Sequence, residues 1–267
     1  LRQFERRCQR RADQRLAECQ QHHGERRLQR MDIVLMVHRL AFAVHVLDHL
    51  VDQQREIPDI DRVHLVTNHR FAGHFREWLA GRGEDMAHRG LRITVHDDGT
   101  TSSDLRLGAI SDLQFTIEEA GIDDDLFVCA SDNILQWSIH DMVKTWKRNG
   151  EFHICVRHEE DVEDLRKRGN AILDDDDRLV DFIEKPQDPK SNWVVPPLYI
   201  YPKSSLALID RYLEEGQNTP GITGDSPGQI VEWLYTRIPV YAHKIDGTIL
   251  DIGNPESLEQ ARRTFGE

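Results

Sequence analysis

Short apolar runs alternate with amphipathic stretches from about residue 46 onward. The runs are rich in Val, Ile, Leu and Phe and predict buried strands at 62–67, 91–96, 126–130, 152–157, 193–201 and 240–245. The stretches between them repeat apolar residues at helical spacing and predict helices at 46–55, 68–81, 106–120, 139–149, 204–215, 228–236 and 255–264. Strands that alternate with helices form βαβ units. The pattern therefore predicts an α/β fold with a mostly parallel sheet and helices on both faces.

One part of the pattern predicts antiparallel pairing instead. Residues 171–173 and 179–183 are apolar and flank a run of four aspartates, Asp174 to Asp177. Aspartate is a common turn residue, and the run lacks the glycine and the terminal glutamate of a calcium loop. We therefore expect a tight turn and a small antiparallel hairpin.

Residues 1–45 differ from the rest of the chain and are set apart as an atypical basic and irregular segment. The α/β domain is assigned to residues 46–267. Residues 1–30 carry nine arginines and four acids, a net charge of +5, although the whole chain has a net charge of −13. A solvated arm and a basic binding arm both fit this composition.

Composition restricts the compartment and the partners. Residues 31–51 form the only long apolar stretch, and charged residues and three histidines interrupt it, which disfavours a membrane span. The four cysteines form no C-x-x-C pair and fit a reduced, cytoplasmic protein. The net charge of −13 disfavours nucleic acid as a partner of the main domain, because phosphate backbones favour basic surfaces. A homo-oligomer is compatible with the sequence.

Acidic and cationic side chains follow three of the apolar runs. Asp132 and Asn133 come after one run, Glu184 and Lys185 after another, and Asp251 after a third. Ligands bind at the carboxyl ends of strands in open α/β sheets. Two of these carboxylates, Asp132 and Asp251, are predicted to converge on one Mg²⁺, which prefers oxygen ligands and keeps substrate phosphates in its shell. A turn or a helix cap remains the ordinary explanation for either aspartate alone.

Other positions fit a ligand that carries phosphate and sugar. Because Pro186 cannot continue a central strand, Lys185 is expected at the rim of the sheet, where its ammonium group can neutralise a phosphate. Glu184 can accept hydrogen bonds from sugar hydroxyls. Gly108, at a helix start, would leave room for a flat base or a ribose. The segment 225–228 either lines the sugar side or caps a helix.

Eight segments in order resemble the sugar-phosphate nucleotidyltransferase family, of which glucose-1-phosphate thymidylyltransferase is a member. They are VLDHLVDQ, VHLVTNHRFAGHF, DDGTTSSDLRLGAI, LFVCASDN, DFIEKP, VVPPLYIYPK, SPGQIVEWLY and DIGNPESL. The resemblance implies a Rossmann-like fold. It also implies a Mg²⁺-dependent condensation of a nucleoside triphosphate with a sugar-1-phosphate, or a related alcohol phosphate, to give a nucleotide-sugar and pyrophosphate.

The resemblance also implies roles for individual residues. Asp132 and Asp251 resemble the two metal-binding aspartates, and Lys185 resembles the lysine that binds the sugar phosphate. Asp132 and Lys185 would thus be catalytic, in an in-line attack on the α-phosphorus that depends on positioning and charge neutralisation.

The remaining substrate contacts follow from the same resemblance. Glu184 resembles a sugar contact, Gly108 resembles the glycine of the nucleoside pocket, and Asn133 is a further substrate-binding candidate beside the metal aspartate.

The resemblance departs from the family in the first 45 residues. Members begin with a strand, a glycine-rich loop that ends in Thr-Arg-Leu, and a Pro-Lys-Pro segment, whereas residues 1–45 contain one glycine and no proline or lysine. Three explanations stay open: a mis-framed segment, a degenerate non-catalytic relative that still binds nucleotide-sugars or has a regulatory role, and a divergent loop that works. A glycosyltransferase is a weaker alternative, because residues 131–133 lack its acid-x-acid pair.

Overall fold

The structure is a computed structural model, and it describes residues 31–37, 60–82, 90–130, 133–135, 137–217, 219, 224–246 and 249–251. The helices predicted at 46–55 and 255–264 and the basic segment 1–30 lie outside the described residues.

Four parallel strands form one half of the main sheet. The strand β1 (Met31–Val37) lies between β2 (Arg62–Thr67) and β4 (Asp125–Ala130), and β3 (Arg92–Asp97) pairs with β2. Val37 aligns with Thr67, and Thr67 aligns with Asp97, so the carboxyl ends of β1, β2 and β3 meet at one edge. This half of the sheet has the parallel arrangement that the apolar pattern predicts.

The strand β1 was not predicted, although all seven of its residues are buried. It lies within the segment 1–45 that composition sets apart, yet it pairs with two strands of the α/β domain. Alternate residues of β1 face opposite sides of the sheet, with Ile33 and Leu35 in one core cluster and Val34 and Met36 in the other. The irregular character predicted for 1–45 therefore does not extend to residues 31–37.

The other half of the sheet is largely antiparallel, so the sheet as a whole is mixed. Its order is β3-β2-β1-β4-β10-β6-β9-β7-β8, with β11 paired to β6 in parallel. The bounds of these strands are β6 (Phe152–His158), β7 (Gly169–Leu173), β8 (Leu179–Ile183), β9 (Trp193–Val195), β10 (Leu198–Tyr201) and β11 (Val240–Ile245). The single strand predicted at 193–201 is divided at Pro196 and Pro197, because proline cannot donate to a strand ladder.

Helices cover both faces of the sheet, as predicted. Their bounds are α1 (His69–Gly81), α2 (Ala109–Ala120), α3 (Ile139–Trp146), α4 (Val162–Leu165), α5 (Ala207–Gly216) and α6 (Pro227–Leu234). Buried residues of α1 and α3 belong to one core cluster, and those of α2, α5 and α6 belong to the other. Among the described residues, no helix has both the length and the apolar character that a membrane crossing requires.

The turn that follows β7 contains the four aspartates. The hairpin of β7 and β8 is antiparallel, and Asp174 Oδ1 accepts hydrogen bonds from the backbone N–H of Asp176 at 3.0 Å and of Arg178 at 2.9 Å. The predicted turn is therefore confirmed.

The start of α2 differs from the prediction. The helix predicted at 106–120 begins only at Ala109, because Gly108 has a φ of 95°, which is not helical.

Some buried side chains on the parallel half of the sheet are polar. Asp32 is fully buried and its Oδ1 lies 2.8 Å from Arg62 Nε. Burial raises the pKa of Asp32 to about 6, although Arg62 acts in the opposite direction. His64 Nδ1 lies 3.0 Å from His96 Nε2, and burial lowers the pKa of His64 to about 4. Burial also lowers the pKa of His96, so both imidazoles are neutral at pH 7 and pack as part of the fold.

The cap of α1 gives a direct test of the local structure. Asn68 Oδ1 accepts a hydrogen bond from Phe71 N at 3.2 Å, so Asn68→Ala leaves an N–H group of the first turn without this partner. We expect the free energy of unfolding to fall by about 1 kcal/mol. Asn68→Asp keeps the acceptor and is the matched control. Equal stabilities of the Ala and Asp variants in urea unfolding would contradict the capping role.

Candidate active site

A two-stranded ribbon joins the end of the described chain to the end of β4. The strand β5 (Asn133–Leu135) follows β4 and pairs in antiparallel with β12 (Ile249–Asp251), and Asp251 lies opposite Asn133. Paired Cα atoms in antiparallel strands are about 4.5–5.5 Å apart. Positions 251 and 133 are thus neighbours, although they are far apart in the sequence.

The metal assignment stays a prediction. Asp132 lies outside the described residues, as do the side chains of Asn133 and Asp251. The backbone pairing is compatible with this prediction, because position 251 lies opposite position 133, the residue after Asp132 in the sequence. Among the described residues, His, Cys, Asp and Glu form no group of three that could hold a metal ion.

Glu184 follows β8 and is largely buried. Its side chain is 13% exposed, and its Oε1 accepts a hydrogen bond from Ser226 Oγ at 2.8 Å. The backbone N–H of Glu184 donates to the Glu232 carboxylate. Burial raises the pKa of Glu232, and the nearby carboxylates of Glu184 and Asp181 raise it further. Ser226, the residue before α6, therefore holds the carboxylate of Glu184, and Glu232 of α6 holds its backbone N–H group.

Lys185 stands at the rim of the sheet, as its sequence context predicts. Its φ is 49°, a value that non-glycine residues rarely adopt, and its N–H donates to Arg168 O at 3.2 Å. Its side chain is 61% exposed, and Nζ lies 3.9 Å from Glu184 Oε1. Backbone strain of this kind is concentrated at functional sites. The pair of Glu184 and Lys185 thus presents a fixed acceptor beside an accessible cation.

Gly108 lines an open cavity of about 510 Å³. The other residues that line the cavity are Asp104, Arg106, Leu107, Gly224 and Asp225. Arg106 Nη2 lies 2.6 Å from Asp225 Oδ2, which joins two walls of the cavity. A Cβ atom at position 108 would lie 2.6 Å from Gly224 O. Glycine is thus required here by its φ and by the close backbone of residue 224.

The segment 224–226 links the cavity beside Gly108 to Glu184. Gly224 O accepts a hydrogen bond from Ile110 N at 2.8 Å. Two residues further along the chain, Ser226 donates a hydrogen bond to Glu184. The structure therefore connects two of the predicted substrate positions through one loop, and joins Asn133 and Asp251 in a separate ribbon.

A family model described as nucleotidyl transferase matches residues 46–266. The chain belongs to the nucleotidyl transferase family. The match begins near the start of the α/β domain inferred from the sequence, and the boundary at residue 45 stays a prediction.

Individual relatives agree with this family. The low-salt glycan biosynthesis nucleotidyltransferase Agl11 of Haloferax volcanii is 27% identical over 218 residues, which cover 82% of this chain and 56% of that protein. A protein from Bacillus anthracis described as a glucose-1-phosphate thymidylyltransferase, crystallised with sucrose, has a TM-score of 0.69 at 19% identity and covers 88% of this chain and 94% of that one. A UTP-bound UGPase from Acinetobacter baumannii has a TM-score of 0.65 at 16% identity, with coverages of 89% and 94%.

These similarities differ in what they establish. The chain spans about half the length of the curated relatives it matches. The solved structures are similar to this chain in fold. The Rossmann-like α/β fold implied by the family resemblance is thereby confirmed for this chain.

An acidic pair behind the Gly108 cavity was missed by the sequence analysis. Asp112, in the first turn of α2, is 3% exposed and hydrogen-bonds to the Asp98 carboxylate. Burial raises the pKa of Asp112 to about 7, and the facing carboxylates of Asp98 and Asp225 raise it further. Asp98 Oδ1 also accepts hydrogen bonds from Thr100 N and Thr100 Oγ1, both at 2.6 Å. The pair therefore connects the loop after β3 to the start of α2.

Glycine at position 108 can be tested by substitution. Gly108→Ala combines a φ of 95° with a Cβ placed 2.6 Å from Gly224 O, so we expect the free energy of unfolding to fall by about 1–3 kcal/mol. Gly73→Ala is the matched control, because nothing lies within 4 Å of a Cβ there and alanine favours the helix. Urea unfolding measures both variants. A Gly108→Ala variant as stable as the wild type would contradict this geometry.

The acidic pair predicts a pH-dependent stability. The pKa of Asp112 is about 7 in the folded state, against 3.8 for an ordinary aspartate, so its proton stabilises the fold at low pH and the free energy of unfolding falls as pH rises between these values. Asp112→Asn removes this loss, and we expect it to exceed the wild type in stability by about 1–3 kcal/mol at pH 8. The difference should shrink at pH 5.

The control for this experiment is Asp104→Asn, which removes one negative charge from an exposed residue of the same region. Urea unfolding at both pH values gives the comparison. The same stability difference between wild type and Asp112→Asn at pH 5 and pH 8 would show that Asp112 does not titrate as described.

Proposed function

We propose that this chain transfers a nucleotidyl group from a nucleoside triphosphate to a sugar-1-phosphate, or a related alcohol phosphate, with release of pyrophosphate. The observation that carries the proposal is the pair of Glu184 and Lys185 at the end of β8. It combines a carboxylate held by Ser226 with a lysine side chain that is mostly exposed. Membership of the nucleotidyl transferase family supports the same chemistry.

The two side chains bind different parts of the sugar phosphate. The Glu184 carboxylate accepts hydrogen bonds from sugar hydroxyls, and the Lys185 ammonium neutralises the phosphate as a point charge. The cavity beside Gly108 receives the nucleoside, with Arg106 on its wall. Such an arrangement lowers the barrier mainly by orienting two anionic substrates for in-line attack on the α-phosphorus.

The reaction also requires a divalent cation. Asp132 and Asp251 would hold Mg²⁺, whose preferred ligands are carboxylate and phosphate oxygens. A cation held there would supply positive charge against the phosphates of the substrates. The pairing of position 251 with position 133 supports this assignment. Cys129 and Cys155 are buried thiols that are not joined in a disulfide, which supports a reducing, cytoplasmic setting as part of this proposal.

A non-catalytic relative that binds nucleotide-sugars, with a sensing or regulatory role, is the second candidate. The observation that favours it is the sequence after β1, where no glycine occurs between Gly24 and Gly73. A glycine-rich loop after a strand supplies backbone N–H groups to phosphates, and this chain lacks those glycines at that place. Ligand binding without turnover would distinguish this candidate.

Pyrophosphate release tests the proposal directly. Each of the four common nucleoside triphosphates is combined with several sugar-1-phosphates, with Mg²⁺ and with EDTA. We expect turnover that requires Mg²⁺. In Lys185→Ala we expect kcat/KM for the sugar phosphate to fall about 100-fold, because the cation that neutralises this phosphate is lost. Lys144→Ala, in the last turn of α3, is the matched control.

Calorimetry with nucleotide-sugars separates the remaining outcomes. Binding without pyrophosphate release supports the non-catalytic candidate and contradicts the enzyme. Neither binding nor turnover contradicts both candidates.

A further inference from the structure

Ser226 occupies the N-cap position of α6 but does not cap the helix. Its side chain makes no hydrogen bond to the first turn and instead donates to Glu184 Oε1 at 2.8 Å. A serine at this position ordinarily accepts a hydrogen bond from the second or third helical N–H group. Its hydroxyl is therefore used to hold a carboxylate on another element.

The second oxygen of Glu184 fits against glycine backbone. A Cβ atom at Gly228 would lie 1.8 Å from Glu184 Oε2, and one at Gly169 would lie 3.1 Å from the same oxygen. Gly228 is the second residue of α6, where the positive end of the helix dipole favours a negative charge. The two oxygens of this carboxylate thus have different neighbours, a serine hydroxyl and a glycine backbone.

The helix that carries these contacts is itself fixed in position. Trp233 Nε1 donates to Glu215 Oε2 on α5 at 2.6 Å, and the Arg237 guanidinium lies 3.9 Å from the centre of the Trp233 ring. Tyr235, directly after α6, donates its hydroxyl to Asp181 Oδ1 on β8 at 3.2 Å. The end of α6 is therefore fixed against α5 and against β8, the strand that Glu184 follows.

Ser226 and Lys185 both approach the same oxygen of Glu184. Lys185 Nζ lies 3.9 Å from Glu184 Oε1, the atom that Ser226 binds at 2.8 Å. A carboxylate and an ammonium group at this separation attract each other, and a closer ion pair would occupy both groups. The serine hydroxyl holds the carboxylate where it is, so the ammonium group stays available.

We propose that Ser226 and the beginning of α6 position Glu184 for sugar binding and keep Lys185 free for the sugar phosphate. This inference rests on the proposed function and adds a positioning residue to it. The affinity for the sugar phosphate, and not for the nucleoside triphosphate, depends on this contact.

Steady-state kinetics of Ser226→Ala tests the inference. We expect KM for the sugar-1-phosphate to rise about tenfold, with a small change in kcat and in KM for the triphosphate, since a hydrogen bond to a charged group is lost. Ser226→Thr keeps the hydroxyl and should restore most of the affinity. Thr236→Ala, near the other end of α6, is the control for general damage to the helix, because the Thr236 hydroxyl donates to Trp233 O and accepts from Arg237 Nη1, away from Glu184.

A second variant keeps the inference testable if Ser226→Ala does not fold. Gly228→Ala leaves the serine in place but pushes a methyl group towards Glu184 Oε2, so it should raise the same KM while the KM for the triphosphate stays unchanged. Thermal unfolding establishes that each variant is folded before its kinetics are compared.

The outcomes separate the two proposals. An active wild type whose KM for sugar phosphate is unchanged in the folded Ser226 and Gly228 variants overturns the positioning role alone. Equal increases in both KM values also overturn it, because they indicate a general structural effect. A wild type with no turnover and no binding of sugar-1-phosphate in calorimetry overturns the proposed function and this inference together.

Discussion

The pairing of β5 with β12 is the constraint on which the candidate site depends. It is short, with three residues in each strand, yet it brings the chain around residue 251 back to the end of β4. The strand β4 is in turn held by β1 on one side and β10 on the other. A candidate metal ligand near the end of the chain is thus tied to the buried centre of the sheet.

Charge sets the second requirement of this fold. The chain has a net charge of −13, and the proposed substrates are anions. Several carboxylates have a partner within the protein. Asp32 pairs with Arg62, Asp112 shares a hydrogen bond with Asp98, and Glu184 accepts a hydrogen bond from Ser226. In the proposed function, Lys185 then neutralises the sugar phosphate, provided that neighbouring acids do not bind it first.

Much of the fold follows from local sequence pattern, and the misses have physical causes. The runs at 62–67 and 240–245 are strands with the expected bounds, because apolar residues recur in each and a polar residue, Asn68 or Asp246, follows it. The strand β1 was missed because the charged and histidine residues after it obscured its end. The ribbon of β5 and β12 is too short to create periodicity. Ser226 lies far from Glu184 in the sequence, so only the fold could reveal their contact.

Binding of Mn²⁺, measured by electron paramagnetic resonance in the presence of a nucleoside triphosphate, tests the central claim most directly. If Asp132 and Asp251 meet at one ion, Asp132→Asn and Asp251→Asn each weaken Mn²⁺ binding, and the double variant is little worse than either single variant, because both residues serve the same ion. Full Mn²⁺ affinity in Asp251→Asn, or independent additive losses in the double variant, would contradict the account.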